Sequence, residues 1–497
     1  MRCSEQTGLK CLASALAVAG LLSLAAGQAQ AAATIIINNL NGPGVGFNDP
    51  SPAAPVGGNP GTTVGEQRLI AFSYAANIWG TALTSSQPII INAQFVPQTC
   101  TATSGVLGSA GATATFRDFP NAPKANTLYS YALANKIAGS YLGTLNAPQI
   151  NSNFNANLGT PGCLEASGWY YGLDGNEGAL IDFVAVLQHE MAHGLGFQTF
   201  TNGASGAQSG GRPSIWDHFL LGTVTGKLWK DMTNAERAAS AISVDKLVWD
   251  GPMVTAAAPS VLRQGLPGVV ISGPAAGGTA GSYAAGEASF GASFTTSGLT
   301  GQLMPVVDQP NGTGLACTPL SAANARAVRR NIALVDRGAC TFAVKALNAQ
   351  NAGAVAVVIV NNVAAATPIS PGGGDPAVTI PVAGLRLEDG AVIKEALKRR
   401  ARASSGVLAT VALFGNQLAG ADAQGRVKMF APNPFQGGSS VSHFDTTTTP
   451  NQLMEPSINA NLTQSVLPPQ DLTFRLFQDI GWQIEPPAPT RTLSKSR

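Results

Sequence analysis

Residues 189–197 have the sequence His189-Glu190-Met191-Ala192-His193-Gly194-Leu195-Gly196-Phe197. Its first five residues have the form HExxH, and an apolar run over residues 181–187 leads into them. On an α-helix, residues four positions apart project from the same face, so His189 and His193 can bind one metal ion together. Glu190 is placed to take a proton from a water bound to that metal. The stretch therefore predicts a helix that carries two metal ligands and a general base.

This motif is typical of zinc peptidases, but here it is incomplete. A hydrolytic zinc site has three protein ligands and one open position, and the helix supplies only two. In the metzincin form of the motif, HExxHxxGxxH, a third histidine follows the glycine by three residues. Gly196 stands at the glycine position, but Thr199 stands at the histidine position, and threonine is a poor zinc ligand. The third ligand must therefore be sought elsewhere.

The scarcity of histidine narrows that search. The chain has four histidines in total, so only His218 and His443 remain as candidates. His443 lies in Ser442-His443-Phe444-Asp445, and Met454 follows shortly afterwards in Leu453-Met454-Glu455-Pro456. This arrangement resembles leishmanolysin-type metallopeptidases, in which an insertion separates HExxHxxGF from a histidine shortly before a Leu-Met turn. The resemblance extends over residues 67–482, with an interruption by the insertion.

The resemblance implies a role for each matching residue. His189, His193 and His443 would bind one catalytic zinc, and Glu190 would act as the general base. Met454 would pack beneath the site without binding the metal. Asp445 would orient a histidine or the turn. Some metzincins have a tyrosine after the methionine turn that assists the transition state, and no tyrosine follows here.

Competing interpretations of these residues remain open. His443 could be an ordinary loop histidine, and His218 could be the ligand in its place, although a structural role beside Trp216 is favoured for His218. Glu455 could be a carboxylate ligand in the manner of thermolysin, but no helical pattern surrounds it. Before the metal helix, Asp174, Asn176 and Glu177 could bind Ca²⁺, although a loop that caps the helix is favoured over a calcium site.

The composition limits the classes of function. The 497 residues exceed one ordinary core and favour two or three domains. A formal net charge of +2, without a basic block, gives no indication of a nucleic-acid partner. No run after the N-terminus is apolar enough over about 20 residues to span a membrane. Protein or peptide substrates are the expected partners, and the oligomeric state is not predicted.

The first residues predict export. Arg2 and Lys10 precede an apolar run over residues 12–26, and Ala29-Gln30-Ala31 is typical of a signal-peptide cleavage site. Residues 1–31 are therefore predicted to be a signal peptide, and the mature protein to be secreted, whether extracellular, periplasmic or on the cell surface. Four cysteines remain, and they allow three disulfide pairings. Cys100–Cys163 and Cys317–Cys340 are favoured because each pair then stays within one predicted domain.

A second unit is predicted between the two halves of the metal site. Residues 331–335 predict a strand, 342–351 a helix and 354–360 a buried strand, an order typical of small α/β domains. The sequence Ile332-Ala333-Leu334-Val335-Asp336-Arg337-Gly338-Ala339-Cys340-Thr341-Phe342, with Lys345 and Ile380-Pro381, resembles a protease-associated (PA) domain. Such domains are non-catalytic companions of peptidases.

Elsewhere in the chain, patterns of apolar residues predict further elements. Strands are expected over residues 33–39 and 87–96, and helices over 66–83, 126–138 and 471–482. The Gly-rich stretch at residues 104–115 is expected to be a surface loop.

The fold class predicted is α+β, a metzincin-like zinc peptidase domain split by an inserted α/β PA-like domain. Its parts are the signal peptide 1–31, a first catalytic part 32–250, the insert 251–420, a second catalytic part 421–485 and a disordered tail 486–497. The predicted function is a secreted zinc metalloendopeptidase. Two alternatives are a binding or adhesion protein that retains the fold without turnover, and a zinc enzyme that acts on a non-peptide bond. The intact Glu190 argues against the first, and the PA-like insert against the second.

Overall fold

The computed structural model describes residues 32–482 except 103, 166, 366 and 459–461. The predicted signal peptide and C-terminal tail lie outside the described residues. The chain divides into two compact units. Unit 1 comprises Met1–Val261, Val427–Thr446 and Asn451–Arg497, and unit 2 comprises Leu262–Arg426 and Thr447–Pro450.

The elements follow one another along the chain. Unit 1 begins with β1 (Ile35–Asn39), α1 (Val64–Ala82), β2 (Ile89–Val96), β3 (Gly108–Ala112), β4 (Thr115–Phe116), β5 (Tyr129–Ser130), α2 (Tyr131–Ala138), β6 (Ile150–Asn155), β7 (Trp169–Tyr170), β8 (Ile181–Asp182), α3 (Phe183–Leu195), β9 (Leu220–Gly222), β10 (Lys227–Leu228), α4 (Asn234–Ser240), β11 (Leu247–Trp249) and α5 (Pro252–Val261). Unit 2 contains β12 (Gln264–Ser272), β13 (Gly281–Ala284), β14 (Gly286–Glu287), β15 (Leu299–Pro305), α6 (Ala322–Val328), β16 (Ile332–Asp336), α7 (Phe342–Asn351), β17 (Ala356–Val360), β18 (Val382–Leu385), α8 (Leu387–Leu397) and β19 (Leu408–Leu418). The chain then returns to unit 1, which ends in α9 (Thr473–Ile480).

A four-stranded sheet in the order β1-β2-β6-β3 organises unit 1. The pairs β1–β2 and β2–β6 are parallel, whereas β3 runs antiparallel at the edge beside β6. Every second residue of β2 is buried, and helices α1 and α3 pack against the sheet. The indole Nε1 of Trp79 in α1 donates to the Gln188 carbonyl of α3 at 3.1 Å, which joins the two helices.

Helix α3 has defined signals at both ends. Asp182 is its N-cap, and the carboxylate accepts hydrogen bonds from the backbone N–H of Val184 at 2.8 Å and of Ala185 at 3.3 Å. The helix ends at Gly196, whose φ of 133° is a conformation that side-chain-bearing residues rarely adopt. The chain can therefore turn sharply after His193, as the predicted motif requires.

Two local predictions in unit 1 are wrong. Residues 104–115 are not simply a surface loop, because residues 108–112 form β3, whose main chain pairs with β6 from Gly108 opposite Phe154 to Ala112 opposite Ile150. The helix predicted from residue 126 begins only at Tyr131, since Tyr129 and Ser130 pair with β4 instead. In both cases the conformation is set by strand pairing with residues outside the segment, and the composition of the segment alone does not predict it.

Unit 2 is built on an eight-stranded sheet in the order β13-β12-β19-β15-β16-β17-β18-β14. Strands β15 to β18 run parallel, and α7 connects β16 to β17. Strand β17 is buried along its whole length, as expected for a parallel strand covered on both faces. The predicted strand–helix–strand order is confirmed, and α7 has the predicted bounds.

Both predicted disulfides are confirmed. Cys100–Cys163 lies in unit 1 and Cys317–Cys340 in unit 2. Of the helices in the described part of the chain, none combines the length and the apolar character needed to cross a bilayer.

Candidate metal centre

Three histidines from two distant segments converge in unit 1. Helix α3 presents His189 and His193 one turn apart, and the returning chain presents His443. The Nε2 atom of His189 lies 3.1 Å from Nε2 of His193 and 3.2 Å from Nε2 of His443. Within the described residues, this is the one group of three or more His, Cys, Asp or Glu side chains close enough to share an ion.

The other ring nitrogen of each histidine is bonded to a backbone carbonyl. Nδ1 of His189 donates to the Leu453 carbonyl at 2.8 Å, and Nδ1 of His193 donates to the Phe197 carbonyl at 2.8 Å. Nδ1 of His443 donates to the Ser439 carbonyl at 2.7 Å. A carbonyl oxygen can only accept, so Nδ1 carries the proton in each neutral ring and Nε2 carries a lone pair.

Burial keeps these rings neutral. It lowers the pKa of His189 to about 4. Burial, followed by the charge of nearby His189, lowers the pKa of His193 to about 3. The pKa of His443 is held well below its ordinary value by burial and then by its two histidine neighbours. At neutral pH the three Nε2 lone pairs therefore face one another with no proton between them.

Such an arrangement repels itself unless a cation lies among the three nitrogens. Imidazole binds Zn²⁺ at about 2.0–2.1 Å, and tetrahedral geometry then places two ligand nitrogens about 3.3 Å apart. The two Nε2 separations of 3.1 and 3.2 Å are close to this value. The carbonyl partner of each Nδ1 is also the usual companion of a metal-binding histidine. The residues present thus fit a zinc ion.

Glu190 lies beside the histidines with its carboxylate incompletely satisfied. The residue is 5% exposed, and no group in the described part of the chain bonds to its Oε2 atom. Burial raises the pKa of its carboxyl to about 8. A buried carboxylate without a full set of partners is costly for folding alone, so its retention points to a chemical role.

The predicted methionine turn supports one of the histidines. Met454 is fully buried, and its carbonyl accepts from the backbone N–H of Phe444 at 2.9 Å. The carboxylate of Asp471 accepts from the N–H of Leu453 at 2.6 Å, and the carbonyl of Leu453 holds His189. Asp471, which the sequence did not single out, therefore fixes the turn against a candidate ligand.

A second buried acid that the sequence analysis did not single out, Asp217, bonds to the segment that follows α3. Asp217 is fully buried and accepts from Oγ1 of Thr199 at 2.7 Å, from Oγ1 of Thr201 at 2.6 Å and from the Ser214 N–H at 2.9 Å. The N–H of Thr199 in turn donates to Ser442 Oγ, next to His443. Thr199 stands three residues after Gly196, where the HExxHxxGxxH motif has its third histidine. It thus connects the end of α3 to the segment that carries His443. An acid within the apolar run Ile215-Trp216-Asp217-His218-Phe219 was the available signal.

Three other predicted residues are not members of the group that could share an ion. His218 is not part of it, and its Nε2 instead pairs with Oγ1 of Thr127 at 3.0 Å. Asp445 is buried, and its backbone N–H donates to the Lys428 carbonyl. Glu455 is buried, and its carboxylate accepts from the Gln452 N–H at 2.9 Å within the turn.

The suggested calcium loop is held by its own hydrogen bonds. Asp174 accepts from the Tyr170 hydroxyl at 2.5 Å and from the N–H of Asn176 at 3.1 Å. Asp174 and Glu177 are not among the described groups that could share an ion. The cap of α3 is Asp182, so the prediction that this loop caps the helix is wrong.

The histidines and Glu190 open into a cleft of about 940 Å³. One wall is β3 and the residues that precede it, and the opposite wall is the segment from Phe435 to His443. Apart from the histidines, Glu190 and Glu455 are the only ionisable side chains among the described lining residues. The cleft is therefore nearly uncharged and lined largely by small side chains.

Comparison with known proteins identifies one part of the chain. A family model described as the PA domain matches residues 299–393. This part is a PA domain. The match lies within unit 2 and includes the strand–helix–strand unit that β16, α7 and β17 form.

The relatives found share only part of the chain. Aminopeptidase YwaD of Bacillus subtilis (strain 168) is 44% identical over 64 residues, which are 13% of this chain and 14% of that protein. The zinc aminopeptidase BSAP from Bacillus subtilis is 26% identical, covering 33% of this chain and 37% of that one, with a TM-score of 0.21. The aminopeptidase from Aneurinibacillus sp. strain AM-1 is 17% identical, covering 41% and 42%, also with a TM-score of 0.21. The chain thus spans well under half the length of these relatives, and TM-scores this low add nothing about the fold.

Proposed function

We propose that this protein is a zinc-dependent metalloendopeptidase of the metzincin class, similar to leishmanolysin-type enzymes and carrying an inserted PA domain. The observation that carries the proposal is the meeting of three neutral imidazole Nε2 atoms beside a buried, incompletely bonded carboxylate. The aminopeptidase relatives support peptidase activity, and the predicted signal peptide and two disulfides fit an exported enzyme.

His189, His193 and His443 would hold one zinc ion through Nε2. When bound, zinc lowers the pKa of water toward neutrality and polarises a carbonyl group. The carbonyls of Leu453, Phe197 and Ser439 keep the rings in the tautomer that this binding needs. Met454 would close the base of the site by packing.

Glu190 would move the proton during hydrolysis. The positive charge of a bound zinc ion would favour the ionised form of this buried carboxyl. The carboxylate would then accept a proton from the attacking water and deliver it to the leaving amine nitrogen. The uncharged walls of the cleft would exclude competing counterions, so the carboxylate acts in a weakly polar surrounding.

The edge strand β3 supports internal cleavage of a polypeptide. The Asn155 N–H bonds to the Leu107 carbonyl, and the Thr113 N–H to the Gln149 carbonyl. In this antiparallel register, residues 107, 109, 111 and 113 bond to β6, so residues 108, 110 and 112 direct their N–H and C=O groups away from the sheet. An extended substrate can pair with this free edge. Its chain can then continue past Glu190 in both directions.

The second candidate is an aminopeptidase, which the name of the curated relative favours. Such an enzyme must bind a free amino terminus, and an acidic group near the metal usually does this. Glu455 is the acid that the described cleft offers besides Glu190, and its carboxylate already accepts from the turn that it belongs to. The free edge of β3 is better suited to a continuous chain than to a terminus.

One experiment separates these candidates. The protein without residues 1–31 is given an internally quenched peptide blocked at both ends and, separately, aminoacyl nitroanilides with free amines. We expect about one zinc per chain and cleavage of the blocked peptide. Cleavage of the nitroanilides alone would establish an aminopeptidase, and zinc binding without any cleavage would indicate a binding protein.

A further inference from the structure

Strand β3 passes directly over the carboxylate of Glu190, and the residue at the crossing is Gly108. A Cβ atom built on Gly108 would lie 2.8 Å from Oε1 of Glu190, 2.9 Å from its Cγ and 3.0 Å from its Cδ. Non-bonded carbon atoms approach favourably to only about 3.5–4.0 Å. Any side chain at residue 108 would therefore displace the carboxylate of Glu190.

The backbone does not explain this glycine. Gly108 lies in a regular strand and is not among the glycines with positive φ, so a residue with a side chain could adopt its conformation. The three closest atoms to the built Cβ all belong to the Glu190 side chain, and none belongs to the backbone. The fold can thus accept a methyl group here by moving the Glu190 side chain.

We propose that Gly108 is a positioning residue for Glu190: the missing side chain leaves the space in which the carboxylate lies. The proposal rests on the function proposed above for Glu190. Glu190 is 5% exposed, and helix α3, which carries it, packs against β3. In Gly108→Ala, the added methyl group displaces the carboxylate from its present position, while no atom of the three histidines is among the three atoms nearest the added carbon.

The same strand provides a matched control. A Cβ built on Gly111 would meet only Oε1 of Gln198, at 3.4 Å, which is an ordinary contact. Gly111→Ala adds the same methyl group to the same strand without reaching Glu190. General effects of alanine on β3 therefore occur in both variants, and the displacement of Glu190 occurs in only one.

The kinetic test compares Gly108→Ala and Gly111→Ala on the blocked peptide, with zinc content measured for both. We expect kcat to fall by about 10- to 100-fold in Gly108→Ala, because small misplacement of a catalytic group can cost about 10²-fold. Zinc content should remain that of the wild type, and kcat should fall much less in Gly111→Ala than in Gly108→Ala. An unchanged kcat in Gly108→Ala, an equal loss in Gly111→Ala, or a rise in KM alone would each overturn the proposal.

A second measurement does not depend on activity. Melting temperatures are compared for the wild type, Gly108→Ala, Glu190→Ala and the double variant. We expect Gly108→Ala to lower the melting temperature by a few degrees in the wild type and to lower it much less when Glu190 is replaced by alanine, since the colliding side chain is then absent. If Gly108→Ala alone fails to fold and the double variant folds, the contact is supported. An equal destabilisation in both backgrounds would overturn it. If the wild type binds no zinc and cleaves nothing, the proposed function fails, and these melting temperatures still decide the contact between Gly108 and Glu190.

Discussion

Lys345 of unit 2 and Glu190 of unit 1 are both buried side chains that can carry a charge, yet their surroundings differ. Lys345 is fully buried, and its Nζ donates to the carbonyls of Leu315 and Gly338, each at 2.7 Å. Glu190 has one carboxylate oxygen without a partner among the described residues. The polar group in unit 2 is bonded as expected for a group that stabilises the fold, whereas the one in unit 1 keeps an unbonded oxygen close to three converging histidines. Other buried side chains of the described part, arginines among them, also have unbonded atoms, so the combination of incomplete bonding with a candidate metal centre, and not incomplete bonding alone, marks Glu190 for the proposed role.

The largest effect is expected from removal of a histidine of the candidate centre. His443→Ala leaves two nitrogens, which do not form a stable site for a hydrolytic zinc. We expect loss of zinc, measured by metal analysis of the purified protein, and loss of all peptidase activity. Chelation of the wild type should have the same result, and added zinc should restore activity to the wild type only. Retention of a full zinc content by His443→Ala would show that His443 is not a ligand.

Glu190→Gln tests the open carboxylate directly. The amide has nearly the same size but cannot accept a proton, so we expect kcat to fall by roughly 10²–10⁴-fold, the contribution typical of general acid–base catalysis. Zinc content should be unchanged, since Glu190 is not one of the three converging ligands. The melting temperature should stay close to that of the wild type, because the amide has nearly the same size and Oε2 has no partner to lose among the described residues. A variant with normal kcat would remove Glu190 from the mechanism.

The parts of the site that could be predicted are those in which residue type and spacing suffice. His189 and His193 share a helix face because they are four residues apart, and the histidine count left few choices for a third. Segment 331–360 was predicted well for a similar reason, since its apolar runs have the lengths of buried strands and a helix. Such patterns act locally and are visible in one sequence.

Other parts depend on contacts that the sequence does not display. The residues of β3, GSAGA, have little intrinsic preference for a strand, and they form one because β6 pairs with them. Nothing in the sequence around Gly108 shows that this residue contacts Glu190, and only the folded structure reveals that contact. Asp217 and Asp471 are single acids whose partners lie up to 18 residues away in sequence, so no short motif marks them.

A moderate effect is expected from the satisfied group in unit 2. Lys345→Met keeps the apolar stem but removes the donor to the Leu315 carbonyl and one of the two donors to the Gly338 carbonyl, which keeps the Cys340 N–H. We expect the loss of the Leu315 donor to cost about 1–3 kcal/mol. Urea unfolding followed by fluorescence measures this loss. Zinc content and kcat should not change, because Lys345 belongs to unit 2 and the histidines to unit 1.

Lys398→Met is the matched control for this change. Lys398 pairs with Glu395, and the two side chains are 67% and 64% exposed, so the pair contributes about 0.2–1 kcal/mol. A greater loss in Lys398→Met than in Lys345→Met would contradict the view that buried carbonyls in unit 2 depend on a donor.

The smallest effect is expected at His218, a histidine of unit 1 that is outside the candidate centre. His218→Ala removes one hydrogen bond to Thr127, worth about 0.5–1.5 kcal/mol, and should leave zinc and kcat unchanged.

Burial lowers the pKa of His218 to about 4 in the folded protein, whereas an unfolded histidine titrates near 6.5. As the pH falls from about 6.5 to about 4, the unfolded state therefore takes up a proton that the folded state does not, and the wild type loses stability. The alanine variant lacks this loss, so the difference in urea midpoint between the two proteins should be larger at pH 7 than at pH 5. A difference that grows toward acid pH would mean that His218 is charged when folded, and an empty zinc site in His218→Ala would mean that it, and not His443, completes the centre.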